Sequence, residues 1–165
     1  MKTTSFYYVV LILVCSLFMS CKHENNVIFD EFQPTQGAWE KNDVKTFVWE
    51  VQDTVTPHDL FMNVRVNNNY PYSNMFVICK IYKPSTAIVI DTIQFQMADP
   101  NGALLGNGFS DVKESKLWLK QHYTFDETGK YKVTLEQAVR ALGDVEGVAA
   151  LPGVSEIGFS IEKAE

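Results

Sequence analysis

The chain has 165 residues and a formal net charge of −6, from 14 lysine and arginine residues against 20 aspartate and glutamate residues. This acidic balance argues against nucleic-acid binding and against electrostatic attachment to an anionic membrane surface. The length suits one domain with a substantial core and is too short for two ordinary domains.

Residues 1–20 have the layout of a secretory signal peptide. Lys2 precedes an apolar run over residues 6–19, and Ser20 stands directly before Cys21. The run is shorter than the roughly 20 residues that a spanning helix needs, so we expect it to be cleaved. Leu17, Ser20 and Cys21 resemble the lipobox of bacterial lipoproteins, in which the cysteine is acylated and becomes the new N-terminus. Cys21 is therefore the predicted lipid acceptor, and the alternative is a plain secretory signal with an incidental cysteine.

The lipid anchor and tether are predicted in residues 21–26, and the folded domain in residues 27–165. Alternation of apolar and polar residues predicts strands along the whole domain. In the strand at 44–51, for example, Phe47, Trp49 and Val51 share the face that we expect to be buried. Seven to eight short strands with regular turns favour a single antiparallel β-sandwich. The predicted strands are an irregular or edge strand within 27–39, then 44–51, 60–66, 75–82, 87–95, 116–125, 131–135 and 157–161.

One segment after Leu135 carries a mixed signal. Apolar residues recur there at helical spacing, and Thr134 with Gln137 has the spacing of a capping box. Gly143 would end such an element, because glycine is common at helix C-termini. The pattern therefore predicts one or two helical turns, followed by a glycine-rich connection over residues 143–153.

The three cysteines leave no disulfide within the mature domain. Cys15 is removed with the signal peptide and Cys21 carries lipid, so Cys79 has no intramolecular partner. Cys79 alternates with apolar residues of its strand, and no base stands near it in the sequence. It is predicted to be a buried, inert side chain rather than a nucleophile.

The motif search favours a protein without catalysis. The sequence contains no Gly-x-Ser-x-Gly, no His-Glu-x-x-His, no phosphate-binding glycine loop before a helix and no paired cysteines for zinc. We interpret the three histidines as surface or packing residues, with His58 in a loop after a proline and His122 on a strand face beside Trp118. The segment from Asp99 to Gly102 looks like half of a calcium site, but a β-turn explains it better. We expect no catalytic residue, no metal and no cofactor.

Several separate segments of the chain carry a resemblance to a known family. They are the lipobox cysteine, Trp39-Glu40-Lys41, Asn63-Val64-Arg65, residues 70–77, residues 98–102, residues 105–109, Leu135-Glu136-Gln137 and Ile161-Glu162-Lys163. Together these segments resemble the GldH-type gliding-motility lipoproteins of Bacteroidetes. The similarity extends over essentially the whole chain and departs only locally, in the glycine loop and in a longer final connection. The resemblance implies a non-enzymatic outer-membrane lipoprotein that works with other envelope proteins of gliding and surface secretion, and it leaves open the side of the membrane that the domain faces.

Aromatic side chains are the strongest candidates for a contact surface. Core packing is the expected role of Trp49 and Trp118, while Tyr70 and Tyr72 lie in a predicted loop and are expected to be exposed. Loops at the ends of a sandwich commonly carry binding residues. The predicted contact surface therefore consists of Tyr70, Tyr72, Asp99, Asn101 and Phe109.

Two other functions stay open at this point. A carbohydrate-binding lipoprotein would need Trp39, Tyr70 and Tyr72 exposed in a row, so that sugar rings could stack on them. An envelope hydrolase would need two paired acids, drawn from Glu50, Asp53, Asp91 and Asp111, or a histidine oriented by an acid. We expect no small-molecule substrate.

Overall fold

A computed structural model describes residues 26–108, 110–140 and 146–165, and within them the domain is built from strands. Alternating burial explains these strands: in β3 the side chains from Lys45 to Val51 are buried and exposed in strict succession. The strands are β1 (Val27–Pro34), β2 (Ala38–Glu40), β3 (Lys45–Val51), β4 (His58–Val66), β5 (Asn74–Tyr82), β6 (Ile88–Gln96), β7 (Lys113–Tyr123), β8 (Gly129–Gln137), β9 (Ala150–Pro152) and β10 (Val154–Lys163).

Two four-stranded antiparallel sheets form the body of the domain. The first sheet has the strand order β1-β10-β4-β7, and the second has the order β3-β8-β5-β6. A third sheet consists of β2 and β9 only, and the amide of Gly153, which follows β9, donates to the carbonyl of Gly37, which precedes β2. The predicted all-β antiparallel sandwich is confirmed.

Apolar side chains from the inner faces of both large sheets form one core. Phe47 and Trp49 of the second sheet pack against Phe159 of the first, with ring centroids 5.8 and 5.2 Å apart. The predicted inward face of β3 is confirmed, since Phe47, Trp49 and Val51 are all buried. Burial of the aromatic and aliphatic side chains of this core, at roughly 1.5–3 kcal/mol for each large one, is the main stabilising contribution to the domain, whose cysteine within the described ranges, Cys79, is free.

Ten strands are present where the sequence predicts seven to eight. All eight predicted strands occur, and the first is an edge strand as expected. The two additional strands, β2 and β9, have three residues each and pair only with one another, which is too short for an alternating pattern. β9 lies inside the segment predicted to be a glycine-rich connection.

The predicted helical turns after Leu135 are wrong for the residues that the structure describes. Thr134, Leu135 and Gln137 all belong to β8. The side chain of Gln137 is buried and donates from Nε2 to the carbonyl of Val148 at 2.9 Å, so it does not cap a helix. This segment forms a strand rather than a helix because its backbone pairs with both β5 and β3. Residues 141–145, including Gly143, lie outside the described ranges.

Within the described ranges, no helix is long and apolar enough to cross a membrane. The predicted signal peptide and tether, up to residue 25, fall outside those ranges.

Candidate functional site

The structure separates the residues of the predicted contact surface. Cys21 and Phe109 lie outside the described ranges. The prediction that Tyr70 is exposed is wrong: its side chain is 5 % exposed, and its hydroxyl donates to the carbonyl of Asn74 at 2.7 Å. Burial raises the pKa of Tyr70 well above its usual value of 10.0. Tyr72 is half-buried, and its ring meets that of Tyr70 edge-on at 5.7 Å.

Asp99 organises a turn rather than a metal site. Its Oδ1 accepts hydrogen bonds from the amides of Asn101 and Ala103 at 2.8 and 2.9 Å, and Gly102 has a φ of 86°. These are the contacts of an Asx turn closed by glycine, so the predicted turn is confirmed. Among the described residues, no group of three or more histidine, cysteine and acidic side chains could hold a metal ion.

The Tyr72 segment and the Asp99 loop nevertheless lie side by side. The carbonyl of Ser73 accepts hydrogen bonds from the amides of Met97 and Ala98, at 2.8 and 3.2 Å. An open groove of about 490 Å³ lies between the segments and includes Asn74, Asp99 and neighbouring residues. Tyr72, Asp99 and Asn101 therefore lie in neighbouring segments beside the start of β5 and the end of β6, and the buried ring of Tyr70 contacts Tyr72.

A second candidate surface lies on the outer face of the first sheet, and the sequence did not reveal it. Trp118 was predicted to be a core residue, but it is 45 % exposed. Its ring packs against Phe61 of the neighbouring strand, with centroids 4.3 Å apart, and the Lys116 ammonium lies 4.1 Å from the Phe61 centroid. Phe61 is consequently only 5 % exposed, although it points away from the core. The lysines two residues before and after Trp118 were the signal in the sequence that Trp118 faces outward.

Charged and aromatic side chains continue across the same face. The Arg65 guanidinium lies 4.4 Å from the centroid of Phe32 and contacts the carboxylates of Glu114 and Glu156. These carboxylates raise the pKa of Arg65 further above its ordinary value, because they accept hydrogen bonds from the charged form. The outer face of the first sheet is thus an ordered, half-buried layer of rings and ion pairs.

The structure defines the surroundings of three residues that were considered for hydrolysis, His58, His122 and Asp53. The loop prediction for His58 is wrong, because His58 is the first residue of β4 and is 3 % exposed. His122 is exposed, and its backbone amide, not its imidazole, donates to Oδ1 of Asp59 at 2.8 Å. Asp53 accepts hydrogen bonds from the side chain and amide of Thr56, which hold the pKa of that carboxyl at about 2.

Cys79 has the environment of an inert core residue. It is 3 % exposed on β5, and burial raises the pKa of its thiol to about 12. At neutral pH almost no thiolate is present, and the thiolate is the reactive form. The predicted burial of Cys79 is confirmed, and this environment favours an unreactive thiol.

Comparison with known proteins places the chain in a family. The family model described as GldH lipoprotein matches residues 27–161. The chain is 45 % identical to the gliding motility lipoprotein GldH of Flavobacterium johnsoniae, over 94 % of this chain and 96 % of that protein. It is 42 % identical to a gliding motility lipoprotein GldH homolog of Christiangramia forsetii, over 98 % of each protein.

The solved structures that align with this chain do not support any conclusion about its function. A structure of the infectious bursal disease virus Gx strain aligns with 82 % of this chain and 29 % of its own chain, at 12 % identity and a TM-score of 0.33. A likeness of that size does not bear on function, whereas the sequence relatives are similar over their whole length. The chain belongs to the GldH lipoprotein family.

Proposed function

We propose that this protein is a non-enzymatic, lipid-anchored component of an outer-membrane assembly that serves gliding motility and surface secretion. Cys21 is the lipid acceptor, residues 1–20 are removed, and the domain from residue 27 onward makes contact with other envelope proteins. The single observation that carries the proposal is family membership with near-complete coverage of two relatives named for gliding motility.

The geometry of the described residues supports a binding role over catalysis. Two of the carboxylates that the sequence offered for hydrolysis are engaged elsewhere, Asp53 in a turn with Thr56 and Asp91 in an ion pair with Lys120. Exposed side chains held by neighbouring residues lie on the outer face of the first sheet and at the Asp99 turn. We assign contact with partners to Tyr72, Asp99 and Asn101 and, from the sequence alone, to Phe109, with Trp118 as a second exposed anchor.

Carbohydrate binding is the weaker alternative. It needs Trp39, Tyr70 and Tyr72 in an exposed row, but Trp39 is fully buried, with its indole donating to the carbonyl of Asp43 at 2.8 Å. Tyr70 is buried as well. Stacking of a sugar requires an open ring face, so at most Tyr72 of this row is accessible.

The anchor is tested by fractionating cells that produce the wild type, Cys21→Ala or the matched control Cys79→Ala. We expect the wild type and Cys79→Ala in the outer membrane and Cys21→Ala in the soluble fraction with an unchanged circular dichroism spectrum. Recovery of Cys21→Ala in the outer membrane would disprove the anchor assignment.

The motility role is tested by deleting the gene in a gliding host and returning each variant at equal abundance. We expect colony spreading to be lost on deletion, restored by the wild type and Cys79→Ala, and not restored by Cys21→Ala. Normal spreading of the deletion strain would disprove the role in gliding.

A further inference from the structure

The strand β6 leaves one side of the second sheet open, since its neighbour among the described strands is β5 alone. The amide of Met97 donates to the carbonyl of Ser73, and the amide of Lys83 donates to the carbonyl of Ala87. Because such bonds recur at every second residue of an antiparallel pair, the odd-numbered residues of β6 bond to β5. The even-numbered residues therefore direct their amides and carbonyls to the open side. We call them the β6 edge, and they are Ile88, Ile90, Thr92, Gln94 and Gln96.

The other edge strands of the two large sheets carry features that hinder pairing. Two side-chain hydrogen bonds join β1 to β3, one of them from the Lys45 ammonium to the carbonyl of Pro34 at 2.6 Å. β7 contains three lysines and pairs irregularly with β4, and a bridge between Asn107 and Glu114 covers its start. Lysines, bulges and covering segments are common means by which proteins prevent edge strands from pairing with other chains.

β6 lacks lysine, proline and bulges. It is nine residues long, and its register with β5 is regular throughout. Ile88 and Ile90 of the β6 edge are 49 % and 58 % exposed. The one charged residue of β6 is Asp91, and an ion pair with Lys120 of β7 neutralises it within the same chain. A long, regular, apolar strand with free backbone groups is suited to the addition of another strand.

The sequence of β6 is complementary to itself. Thr92 is its middle residue, so a two-fold axis at Thr92 pairs the whole strand with the same strand of a second copy. The two isoleucines of the β6 edge then lie opposite its two glutamines, and Thr92 lies opposite itself, a pairing that stabilises sheets. Asp91 lies opposite Ile93, with the α-carbons of the two Asp91 residues roughly 8 Å apart. Each Asp91 keeps its own Lys120, so no uncompensated like charges meet across the pair.

We propose that β6 is an interface between two copies of this chain. The two β6 strands pair in antiparallel fashion about Thr92 and join the four-stranded sheets of both copies into one continuous sheet. Ile88 and Ile90 of each copy pack against side chains of the other copy instead of facing water. Pairing at β6 does not depend on the lipid anchor or on a role in gliding, and it goes beyond the proposed function.

The test is disulfide crosslinking of the full chain in cells that produce it. Thr92→Cys places a new thiol on the axis, where the α-carbons of a hydrogen-bonded pair are about 5.5 Å apart, a distance that a disulfide spans. Cys79 is buried and adds no background. After oxidation with copper phenanthroline, we expect a covalent dimer of Thr92→Cys on a non-reducing gel and none of the wild type.

Ile88→Cys is the matched control for position. Ile88 is exposed on the same strand, but in this register it lies roughly 27 Å from Ile88 of the second copy. We therefore expect at least about tenfold less dimer from Ile88→Cys than from Thr92→Cys.

A second pair of variants tests the edge itself in the Thr92→Cys chain. Adding Ile90→Lys places a charge on the β6 edge of both copies, and we expect about tenfold less dimer. Adding Val48→Lys, at a similarly exposed position of β3 in the same sheet, should leave the amount of dimer unchanged. Circular dichroism of both purified variants checks that the domain stays folded.

Three outcomes would overturn pairing between copies. Equal dimer from Ile88→Cys and Thr92→Cys would indicate random collision. Crosslinking of Thr92→Cys to a different protein in place of its own copy would assign the β6 edge to a strand of that protein. Absence of any covalent product of Thr92→Cys would show that the β6 strands of two copies do not meet.

Discussion

Gly153 packs directly against the backbone of Tyr70. A Cβ atom built on Gly153 would lie 2.4 Å from the amide nitrogen of Tyr70, and Gly153 has a φ of 80°. The amide of Asn67 also donates a hydrogen bond to the carbonyl of Gly153 at 2.8 Å, which holds the same two segments together. The β9–β10 turn therefore fixes the loop after β4, and with it the buried position of Tyr70.

Replacing Gly153 by alanine should be among the most destabilising single changes in the chain. The methyl group would collide with backbone that cannot rotate away, in addition to the strain of a positive φ, so we expect a loss of about 3 kcal/mol or more in the free energy of unfolding. Gly37→Ala is the matched control, because Gly37 has a φ of 91° but nothing within 4 Å of the added Cβ. The Gly37→Ala protein should lose about 1 kcal/mol in the free energy of unfolding. Urea unfolding measures both, and similar losses would contradict the close contact.

Cys79 should resist alkylation until the domain unfolds. Its thiol is buried and its pKa is raised to about 12, so both access and thiolate are lacking at pH 8. We expect iodoacetamide to label Cys79 rapidly in urea and negligibly without it, as peptide mass spectrometry will show. Cys79→Ser buries a hydroxyl and should destabilise the domain by about 1–3 kcal/mol, more than Cys79→Ala. Fast labelling of the folded chain would contradict the burial.

His58 should make the domain less stable as the pH falls from 7.5 to 5.5. Burial lowers the pKa of His58 below the 6.5 of an unfolded chain, so the unfolded state takes up the proton first. Its stabilising contribution is complete above pH 6.5 and is lost as the pH falls toward the folded-state pKa. The carboxyl of Asp53, with a pKa of about 2, changes charge well below this window.

The measurement is the urea midpoint at several pH values for the wild type and His58→Gln. We expect the variant to show a flatter dependence on pH between 7.5 and 5.5. Equal slopes for the two proteins would show that His58 does not carry the effect.

The tryptophans should differ sharply in their importance for stability. Trp118 is 45 % exposed and mainly covers Phe61, so Trp118→Ala should lower the free energy of unfolding by about 1 kcal/mol. Trp39 is fully buried and its indole satisfies the carbonyl of Asp43, so Trp39→Ala should lower it by about 3–5 kcal/mol. Thermal or urea unfolding checks both. A greater loss for Trp118→Ala would mean that the outer face, not the core, holds the sheet together.

Local patterns carried most of the strand assignment. Alternation located the strand that contains Phe47 and Trp49 and placed Cys79 on a buried face, because a period of two needs only neighbouring residues. The same reasoning misplaced Trp118, because its large apolar ring was given more weight than the lysines two residues before and after it, which indicate a solvent-facing position.

Contacts between distant segments decided what the patterns left open. Leu135 has helical spacing to the apolar residues after it, and Gln137 has capping-box spacing to Thr134. Pairing with β3 and β5 nevertheless makes this segment a strand. Tyr70 follows three asparagines, and such a polar segment is typical of an exposed loop. In the structure, however, its hydroxyl donates a hydrogen bond to the carbonyl of Asn74 and its backbone packs against Gly153.

The sequence by itself determined the fold class, the buried position of Cys79 and the family resemblance, since each rests on residue types and spacing along the chain. Only the tertiary structure decided which aromatic rings are exposed and which polar side chains are buried. Those properties depend on which strands become neighbours, and the residues that meet across the sandwich, such as Trp49 and Phe159, are far apart in the sequence.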